Sequence, residues 1–319
     1  MTELETITSF ATRLRAGVSD IVHGMDEVTR LCLVAVLTRG HVLLEGPPGT
    51  GKTLFAQTFA RLIGLEMKRL QCTPDLLPGD VLGANVFDFK TQSFHLVQGP
   101  IFTECLLADE VNRTPPKTQS ALLEAMQERA VTIDGTTHPL SPHFFVVATQ
   151  NPIEHEGTYP LPEAQLDRFL FKIQIDYPDS EAETKAVLQH SGSSEMPNLD
   201  ALGLHPLIDG AELQQLAAAA SSVRVDPRIA EYSVRLAEAT RRHGGLRLGL
   251  STRAATVLVA AARAHAALES RSFVIPDDLK ALFISACAHR VLPTASAEME
   301  GVGSSALLSE ILSKVPAPR

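Results

Sequence analysis

Cysteine is scarce in this sequence and tryptophan is missing from it. No cysteine belongs to a C-x-x-C pair, and one of the four lies inside an apolar run, so we expect buried, reduced thiols. At 319 residues, 45% of them hydrophobic, the chain is long enough for one large domain or two ordinary ones without cross-links. The cysteines are Cys32, Cys72, Cys105 and Cys287.

Positive charge and long apolar runs are also in short supply. Lys and Arg number 28 against 37 Asp and Glu, a formal net charge of −9, which argues against a protein that coats nucleic acid. The longest apolar runs span about six residues, whereas a membrane-crossing helix needs about 20. The polar, acidic start MTELETITSF is unlike a secretory signal. We therefore expect a cytoplasmic protein without membrane insertion.

Short apolar segments that alternate with helical patterns organise the first half of the chain. A β-like run at 41–45 leads into a Gly- and Pro-rich turn at 46–51, and a helical pattern follows from Lys52 to Ile63. Further β-like runs occur at 104–109, 144–149 and 169–175. Strands separated by helices predict a parallel sheet covered on both faces.

Two hairpin-like insertions, at 83–98 and 130–140, interrupt this pattern, and the second contains the turn signal Asp134-Gly135. They are either ordinary decoration or loops that face a substrate. After residue 178 we expect no further strands. The sequence predicts an α/β domain at 1–178 and an all-helical domain at 179–319, with helical segments at 180–190, 211–220, 227–242, 251–269 and 276–289.

The turn after the first predicted strand matches G-x-x-x-x-G-K-[ST] in full. Its glycines let backbone N–H groups surround a phosphate chain, and the positive end of the next helix points at the same anion. Lys52 is expected to contact the β- and γ-phosphates of ATP and Thr53 to ligate Mg²⁺. The alternative, a Gly-rich turn without a ligand, does not explain the strand before the turn and the helix after it. The predicted nucleotide-binding residues here are Gly46, Pro47, Pro48, Gly49, Thr50, Gly51, Lys52, Thr53 and Leu54.

Polar residues follow two of the later strands. Asp109 and Glu110 end the run CLLADE, where Asp109 is expected to hold Mg²⁺ and Glu110 to polarise the attacking water. Asn151 follows FFVVATQ, where its amide is within reach of the γ-phosphate or the water. An acidic pair at a strand end and an Asn before Pro are common in any protein, so their positions relative to the phosphate loop carry the prediction.

The segments GPPGTGKT, LLADEVNRTPPKTQSALLEAMQE, VVATQNPIEHEGTYPLPEAQLDRF and GLSTRA together resemble the MoxR family of AAA+ ATPases, from about residue 20 to the end. The resemblance implies an αβα sandwich with a five-stranded parallel sheet, a small helical lid and assembly of identical chains, usually a hexamer. It implies that Asn151 is a polar sensor and that Arg168 is an arginine finger acting on a neighbouring subunit. It implies that Arg253 is a second sensor contacting nucleotide in its own subunit, and that both hairpins face the pore of the ring.

The alternatives for the two arginines are a surface salt bridge for Arg168 and a solvated helix face for Arg253. The segment His23-Gly24 stands where the family commonly has a V-G-Q-like turn near the adenine, so His23 is expected near the base. The resemblance further implies chaperone-like remodelling of client proteins with a separate partner that carries a von Willebrand factor A domain. The competing hypotheses are a motor or regulator acting on nucleic acid and a nucleotide-gated scaffold with little turnover. Of the basic residues that nucleic acid would need, the first hairpin has Lys90 and the second has no Lys or Arg.

Overall fold

The computed structural model describes residues 2–152, 157–190, 199 and 203–318. Residues 153–156, part of the TQNPIEHEGTYP segment, lie outside that range. The first part of the chain carries the elements that lead to and from the phosphate loop. They are α1 (Glu3–Ser19), α2 (Asp26–Leu37), β1 (Val42–Glu45), α3 (Lys52–Leu62), β2 (Met67–Gln71), α4 (Pro78–Leu82), β3 (Gly83–Asp88) and β4 (Ser93–Gln98). The next part continues with β5 (Cys105–Asp109), α5 (Pro116–Glu128), β6 (Ala130–Ile133), β7 (Thr136–Pro139), β8 (Phe145–Gln150), α6 (Glu163–Leu166) and β9 (Phe171–Gln174).

The centre of the fold is a five-stranded sheet in the order β2-β5-β8-β1-β9, and every neighbouring pair is parallel. The carboxyl ends of β1, β5 and β8, which lead into the phosphate loop, the Asp109-Glu110 pair and Asn151, therefore lie at one edge. The predicted sandwich with a five-stranded parallel sheet is confirmed. The residue pattern alone had missed β2, because its sequence MKRLQ is only partly buried at the side of the sheet.

Alternation along the strands divides the core into two layers. Val42, Leu44 and Leu107 pack with α1, α2, α3 and the C-terminal helices. Leu43 and Leu106 point to the other face, where they pack against α5 and the elements near it. Because successive side chains of a strand point to opposite faces, an apolar run such as VLL serves both layers.

Two antiparallel hairpins project from this sandwich, one formed by β3 and β4 and the other by β6 and β7. The second turns through Asp134 and Gly135, which both have positive φ, as a tight hairpin turn requires. The side-chain amide of Asn85 donates to the carboxylate of Asp134 at 2.9 Å, so the two hairpins lie side by side.

Helices dominate the rest of the described chain. They are α7 (Ser180–His190), α8 (Gly210–Ser221), α9 (Pro227–Arg242), α10 (Thr252–Leu268), α11 (Pro276–Cys287), α12 (Ala295–Met299) and α13 (Ser304–Lys314). One short antiparallel pair, β10 (Leu246–Leu248) with β11 (Leu292–Pro293), also occurs here. The sequence predicts no strand in this region, because segments of two or three residues are too short to show a period of two.

The four cysteines are buried and free, as predicted. Burial raises the pKa of the Cys105 and Cys287 thiols to about 12, which keeps them protonated. Within the described ranges, no helix combines the length and the apolar character that crossing a bilayer requires.

A buried carboxylate ties α10 to α11. Asp278, whose side chain is 1% exposed, accepts hydrogen bonds from Arg271 Nη1 at 2.7 Å, from the N–H of Ile275 at 2.8 Å and from His265 Nδ1 at 2.7 Å. Burial alone would raise its pKa, but the hydrogen bonds from Arg271 and His265 outweigh burial and hold the pKa at about 2.

The Asp278→Asn variant is expected to lose about 2 to 4 kcal/mol of unfolding free energy at pH 7, because it removes the charge and leaves Arg271 without its counter-ion. A carboxyl group whose pKa is lower in the folded state stabilises the protein above its ordinary pKa, and this stability is lost as the pH falls towards about 2. The gap between wild type and variant should therefore narrow to about half at pH 3.

Unfolding in guanidinium chloride, followed by circular dichroism at pH 7, 4 and 3, measures this gap. The matched control is Asp277→Asn, because the Asp277 side chain is 73% exposed and its ion pair within the described chain is with Lys280. A gap that stays constant with pH would contradict an effect through the ionisation of Asp278.

Candidate functional site

The phosphate loop connects β1 to α3 at the carboxyl edge of the sheet. Gly49 and Gly51 have φ of +80° and +78°, the left-handed region that favours glycine. A Cβ at Gly46 would lie 2.2 Å from the carbonyl oxygen of Ile175, so only glycine fits there. The loop ends at the start of α3, where the N–H groups of residues 52–54 have no partner within the helix. The arrangement is a backbone cradle for an anion.

Lys52 lies along this loop. Its Nζ donates to the carbonyl oxygens of Gly46 at 2.9 Å and Pro47 at 2.6 Å, and to Thr50 Oγ1 at 3.1 Å. Burial lowers the pKa of Lys52, while the charges of Asp109 and Glu110 oppose that effect. The side chain of Leu54 is buried in the core behind the loop, so the structure leaves this position only its backbone to present to a ligand.

Asp109 is the most heavily hydrogen-bonded acid of the site. Its Oδ1 accepts from Thr149 Oγ1 at 2.6 Å, and its Oδ2 accepts from Thr53 Oγ1 at 3.2 Å and from Arg69 Nη2 at 2.7 Å. The Thr53 hydroxyl and the Asp109 carboxylate are hard oxygen donors placed side by side, which suits Mg²⁺ shared with phosphate oxygens. The described residues contain no cluster of three or more His, Cys, Asp and Glu side chains that could hold a metal without such help.

Glu110 has left-handed backbone angles, φ +59° and ψ +51°, which are uncommon for a residue with a side chain. Strain of this kind concentrates at functional sites. The carboxylate accepts from Gln71 Nε2 and Arg113 Nη1, each at 3.1 Å, and the Glu110 N–H donates to Thr149 Oγ1 at 2.8 Å. The same threonine thus fixes both acids.

Asn151 is buried directly after β8, the strand that lies between β5 and β1 in the sheet. It therefore stands between the phosphate loop and the acidic strand end, where the sequence placed it. Its carbonyl oxygen accepts from Asn112 Nδ2 at 3.4 Å.

The segment predicted to lie near the base also adjoins the loop. Val22 Cγ1 is within 3.4 Å of the point where a Cβ on Gly51 would stand. His23 Nε2 makes a 2.9 Å hydrogen bond to Gln189 Oε1 of α7, and Gly24 abuts Pro178. Residues 23–24 thus lie between the phosphate loop and α7, and a contact of either residue with adenine stays a prediction.

Arg168 and Arg253 lie at the opposite edge of the sheet. Arg168 precedes β9, which runs parallel to β1, so this end of the sheet is about 15 Å from the phosphate loop along the strands. Arg253 Nε is 3.6 Å from Asp167 Oδ2, and both arginines border one recess together with Arg39. In this conformation Arg253 lies away from the phosphate loop of its own chain, and its contact with nucleotide stays a prediction. The lid helix α10 packs so that its first turn faces the Arg168 end of the sheet.

Four residues that sequence reasoning missed also shape the site: Arg69, Gln71 and Thr149 at one edge, and Arg290 at the other. Arg69 and Gln71 belong to β2, which has no clear strand pattern, and Thr149 was treated only as the end of a buried strand. Arg290 lies beyond α11 and is buried; its Nε donates to Asp167 Oδ1 at 2.7 Å, and its Nη atoms donate to the carbonyl oxygens of residues 167, 169 and 170. No local motif marks such a residue.

The Glu110→Gln variant is expected to bind ATP like the wild type but to hydrolyse it about 10² to 10⁴ times more slowly, because it keeps the shape of the site and removes the base. Binding by a fluorescent ATP analogue and steady-state phosphate release separate the two effects. Glu298→Gln, at an exposed glutamate of α12, is the control. Turnover at the wild-type rate would exclude Glu110 as the base.

Comparison with known proteins gives one consistent result. Residues 41–171 match the ATPase family associated with various cellular activities (AAA), and residues 238–311 match the AAA lid domain. The chain is 39% identical to Chaperone MoxR1 of Mycobacterium tuberculosis, over 95% of this chain and 81% of that protein. It is 31% identical to Protein MoxR of Methylorubrum extorquens, over 97% and 95%, and 44% identical to the uncharacterized protein YeaC of Bacillus subtilis, over 94% and 92%. A crystal structure from Cytophaga hutchinsonii, described as that of a candidate ATPase, superimposes with a TM-score of 0.90 at 36% identity and covers 99% of this chain and 97% of its own.

Proposed function

The chain belongs to the MoxR family of AAA+ ATPases, and from that membership we propose that it hydrolyses ATP with Mg²⁺ in a ring of identical subunits and uses the cycle to remodel client proteins. The observation that carries the proposal is that the predicted catalytic residues form two separate groups. Lys52, Asp109 and Glu110 lie at one edge of the sheet, and Arg168 and Arg253 lie at the other.

At the carboxyl edge, the N–H groups of the loop and the Lys52 ammonium bind the phosphates, after Lys52 releases the carbonyl oxygens it now contacts. Thr53 and Asp109 would hold Mg²⁺, which would supply positive charge against the phosphates. The Glu110 carboxylate takes the proton of the attacking water, and the Asn151 amide orients that water or the γ-phosphate. Gly46 to Leu54 and the 23–24 segment enclose the rest of the nucleotide.

At the other edge, we propose that the two arginines act on a neighbouring subunit. A loose phosphoryl-transfer transition state needs positive charge at the γ-phosphate, and an arginine finger supplies about 10³ to 10⁵ in rate. We infer that Arg168 and Arg253 enter the site of the adjacent subunit together, since they border the same recess. A head-to-tail contact of this kind closes into a ring, for which six subunits is our proposal.

The first hairpin supplies a surface for clients. Phe89 and Phe94 are 85% and 71% exposed, and their rings lie 5.2 Å from the ring of Phe87 in edge-on contacts. An exposed aromatic cluster on a projecting hairpin suits contact with apolar segments of a polypeptide. Within 83–98, Lys90 is the only Lys or Arg, which gives little attraction for nucleic acid. A separate protein with a von Willebrand factor A domain, in the cytoplasm, is the proposed partner that presents the client.

Mixing inactive variants tests the shared site. Lys52→Ala and Arg168→Ala should each lack turnover, and an equal mixture should regain up to about a quarter of wild-type activity, because in a random ring that share of contacts pairs an intact Lys52 site with an intact Arg168. Steady-state hydrolysis of mixtures, with ring size checked in parallel, is the measurement. Absence of any rescue would count against a finger acting between subunits.

The same design separates the two placements of Arg253. If Arg168 and Arg253 come from the same neighbour, a mixture of Arg168→Ala and Arg253→Ala contains no complete site and stays inactive. If Arg253 served its own subunit, that mixture would regain activity, since an Arg168→Ala subunit would keep its own Arg253 and receive Arg168 from its neighbour. Rescue in this mixture would therefore contradict our placement.

The Phe89→Ser and Phe94→Ser double variant is expected to keep basal hydrolysis and to bind a labelled unfolded polypeptide, reduced carboxymethylated lactalbumin, at least about tenfold more weakly, because two exposed rings are lost. Met299→Ser, at an apolar side chain that is 84% exposed on α12, is the control. Fluorescence anisotropy gives the affinities. Equal binding by all three proteins would remove the hairpin as the client surface.

A further inference from the structure

A cavity of about 380 Å³ lies between the sandwich and the C-terminal helices, at the edge of the sheet away from the phosphate loop. Its walls come from the end of α2, from residues 142–145 and from facing sides of α8 and α10. The volume is within the range of small-ligand sites. None of the nucleotide-binding residues borders it.

Three arginines border this cavity without a counter-charge. They are Arg39, Arg129 and Arg263, and the described residues that line the cavity include neither Asp nor Glu. Arg39 and Arg129 instead donate to carbonyl oxygens, Arg39 Nη2 to Pro142 at 3.3 Å and Arg129 Nη1 to Phe144 at 2.9 Å. In a chain of net charge −9, a lining with three cations and no acid is unusual.

Arg263 has a hydrogen-bond donor that the described chain does not use. Its Nη1 donates to the carbonyl oxygen of Ser221 at 3.1 Å, but its Nε is buried and has no hydrogen-bond partner within the described chain. Buried guanidinium donors are normally satisfied, and each exception calls for an explanation. A ligand acceptor in the cavity provides one.

Arg39 and Arg129 are held close together in unusual conformations. Both have left-handed φ, +56° and +52°, at the ends of α2 and α5, positions usually taken by Gly or Asn. Arg129 Nη2 also donates to the carbonyl oxygen of Arg39. Burial and the charge of Arg39 lower the pKa of Arg129, as expected for two cations without an anion between them. The helix ends favour a cation at each position, but they do not neutralise the cavity itself.

Apart from the arginines, the lining is mainly apolar. Its uncharged polar members are Thr38, Gln214 and Ser221, with His143 beside them, and its apolar members include Phe145, Leu213, Ala217 and Ala264. A ligand that satisfies both parts needs a hydrocarbon body for these residues and a head that accepts hydrogen bonds from guanidinium groups. Carboxylate and phosphate heads match guanidinium geometry best.

We propose that this cavity binds a small organic anion, an apolar body with one carboxylate or phosphate head held by Arg39, Arg129 and Arg263. The ligand contacts the sandwich through α2 and the 142–145 segment, and the C-terminal helices through α8 and α10. Arg39 and Arg129 border both this cavity and the recess that contains Arg168. Arg263 borders this cavity but not that recess. Arg263 is therefore the position at which this site is tested without disturbing the proposed ATPase site.

Isothermal titration calorimetry on the full chain with saturating ADP and Mg²⁺ tests the proposal, because nucleotide then fills the phosphate loop. The probes are octanoate, octyl phosphate, 1-octanol and octylammonium, which share one hydrocarbon body. One anion should bind per chain, at least about tenfold more tightly than the alcohol, and octylammonium should not bind. Whichever of octanoate and octyl phosphate binds more tightly shows whether the natural ligand carries a carboxylate or a phosphate head.

Variants locate the binding. Arg263→Gln should weaken binding of the preferred anion at least about tenfold. Arg263→Lys, which keeps the charge but lacks the planar guanidinium and its Nε donor, should weaken binding by less than Arg263→Gln does. Arg242→Gln, at a side chain 80% exposed on α9, is the matched control. Should Arg263→Gln fail to fold, Arg39→Gln gives the same comparison at an exposed position. Equal binding of alcohol and anion, binding unaffected by these changes, or no binding of either anion would each overturn the proposal.

Discussion

The parallel direction of all five central strands is the constraint on which the function of this molecule depends. It gathers the ends of β1, β5 and β8 at one edge, and with them the phosphate loop, both acids and Asn151. It also sends the start of β9, and therefore Arg168, to the other edge. Because Arg168 lies about 15 Å from the phosphate loop of its own chain along the strands, the proposed function combines the edges of two chains in one site. On that proposal, catalysis depends on assembly.

At the carboxyl edge, the Arg69 guanidinium forms an ion pair with Asp109. Arg69 contacts the same carboxylate oxygen that Thr53 contacts, at the position where Mg²⁺ is proposed to bind. Separating Arg69 from Asp109 costs little free energy, because the Arg69 side chain is 45% exposed and becomes hydrated when it leaves. Thr149 contacts the Asp109 carboxylate and the Glu110 N–H, and neither contact involves Arg69. We therefore expect the Asp109 carboxylate to keep its position if Mg²⁺ replaces Arg69 there, as proposed.

Much of the fold could be predicted because its signals are local. The phosphate loop, the buried strands and the helices of the C-terminal half each have a pattern of composition or period that needs no knowledge of the rest of the chain. Strand β2 lacked such a pattern, and Arg69 and Gln71 were missed with it. The location of Arg253 could not be predicted for another reason. GLSTRA predicts the start of a helix, but the side of the sandwich on which that helix packs depends on contacts distant in sequence, among them the ion pairs of Asp167 with Arg253 and Arg290. Sequence patterns identify individual helices and strands, whereas tertiary packing decides their relative positions.

The buried Arg290 has a mechanical consequence. Its guanidinium donates hydrogen bonds to residues on both sides of Arg168, and Arg290 itself follows directly after α11. The segment that carries Arg168 is therefore attached to the C-terminal helices. A tilt of those helices would therefore move Arg168 with them. In the proposed ring, such a tilt in one subunit would change how far its Arg168 extends into the active site of the next subunit.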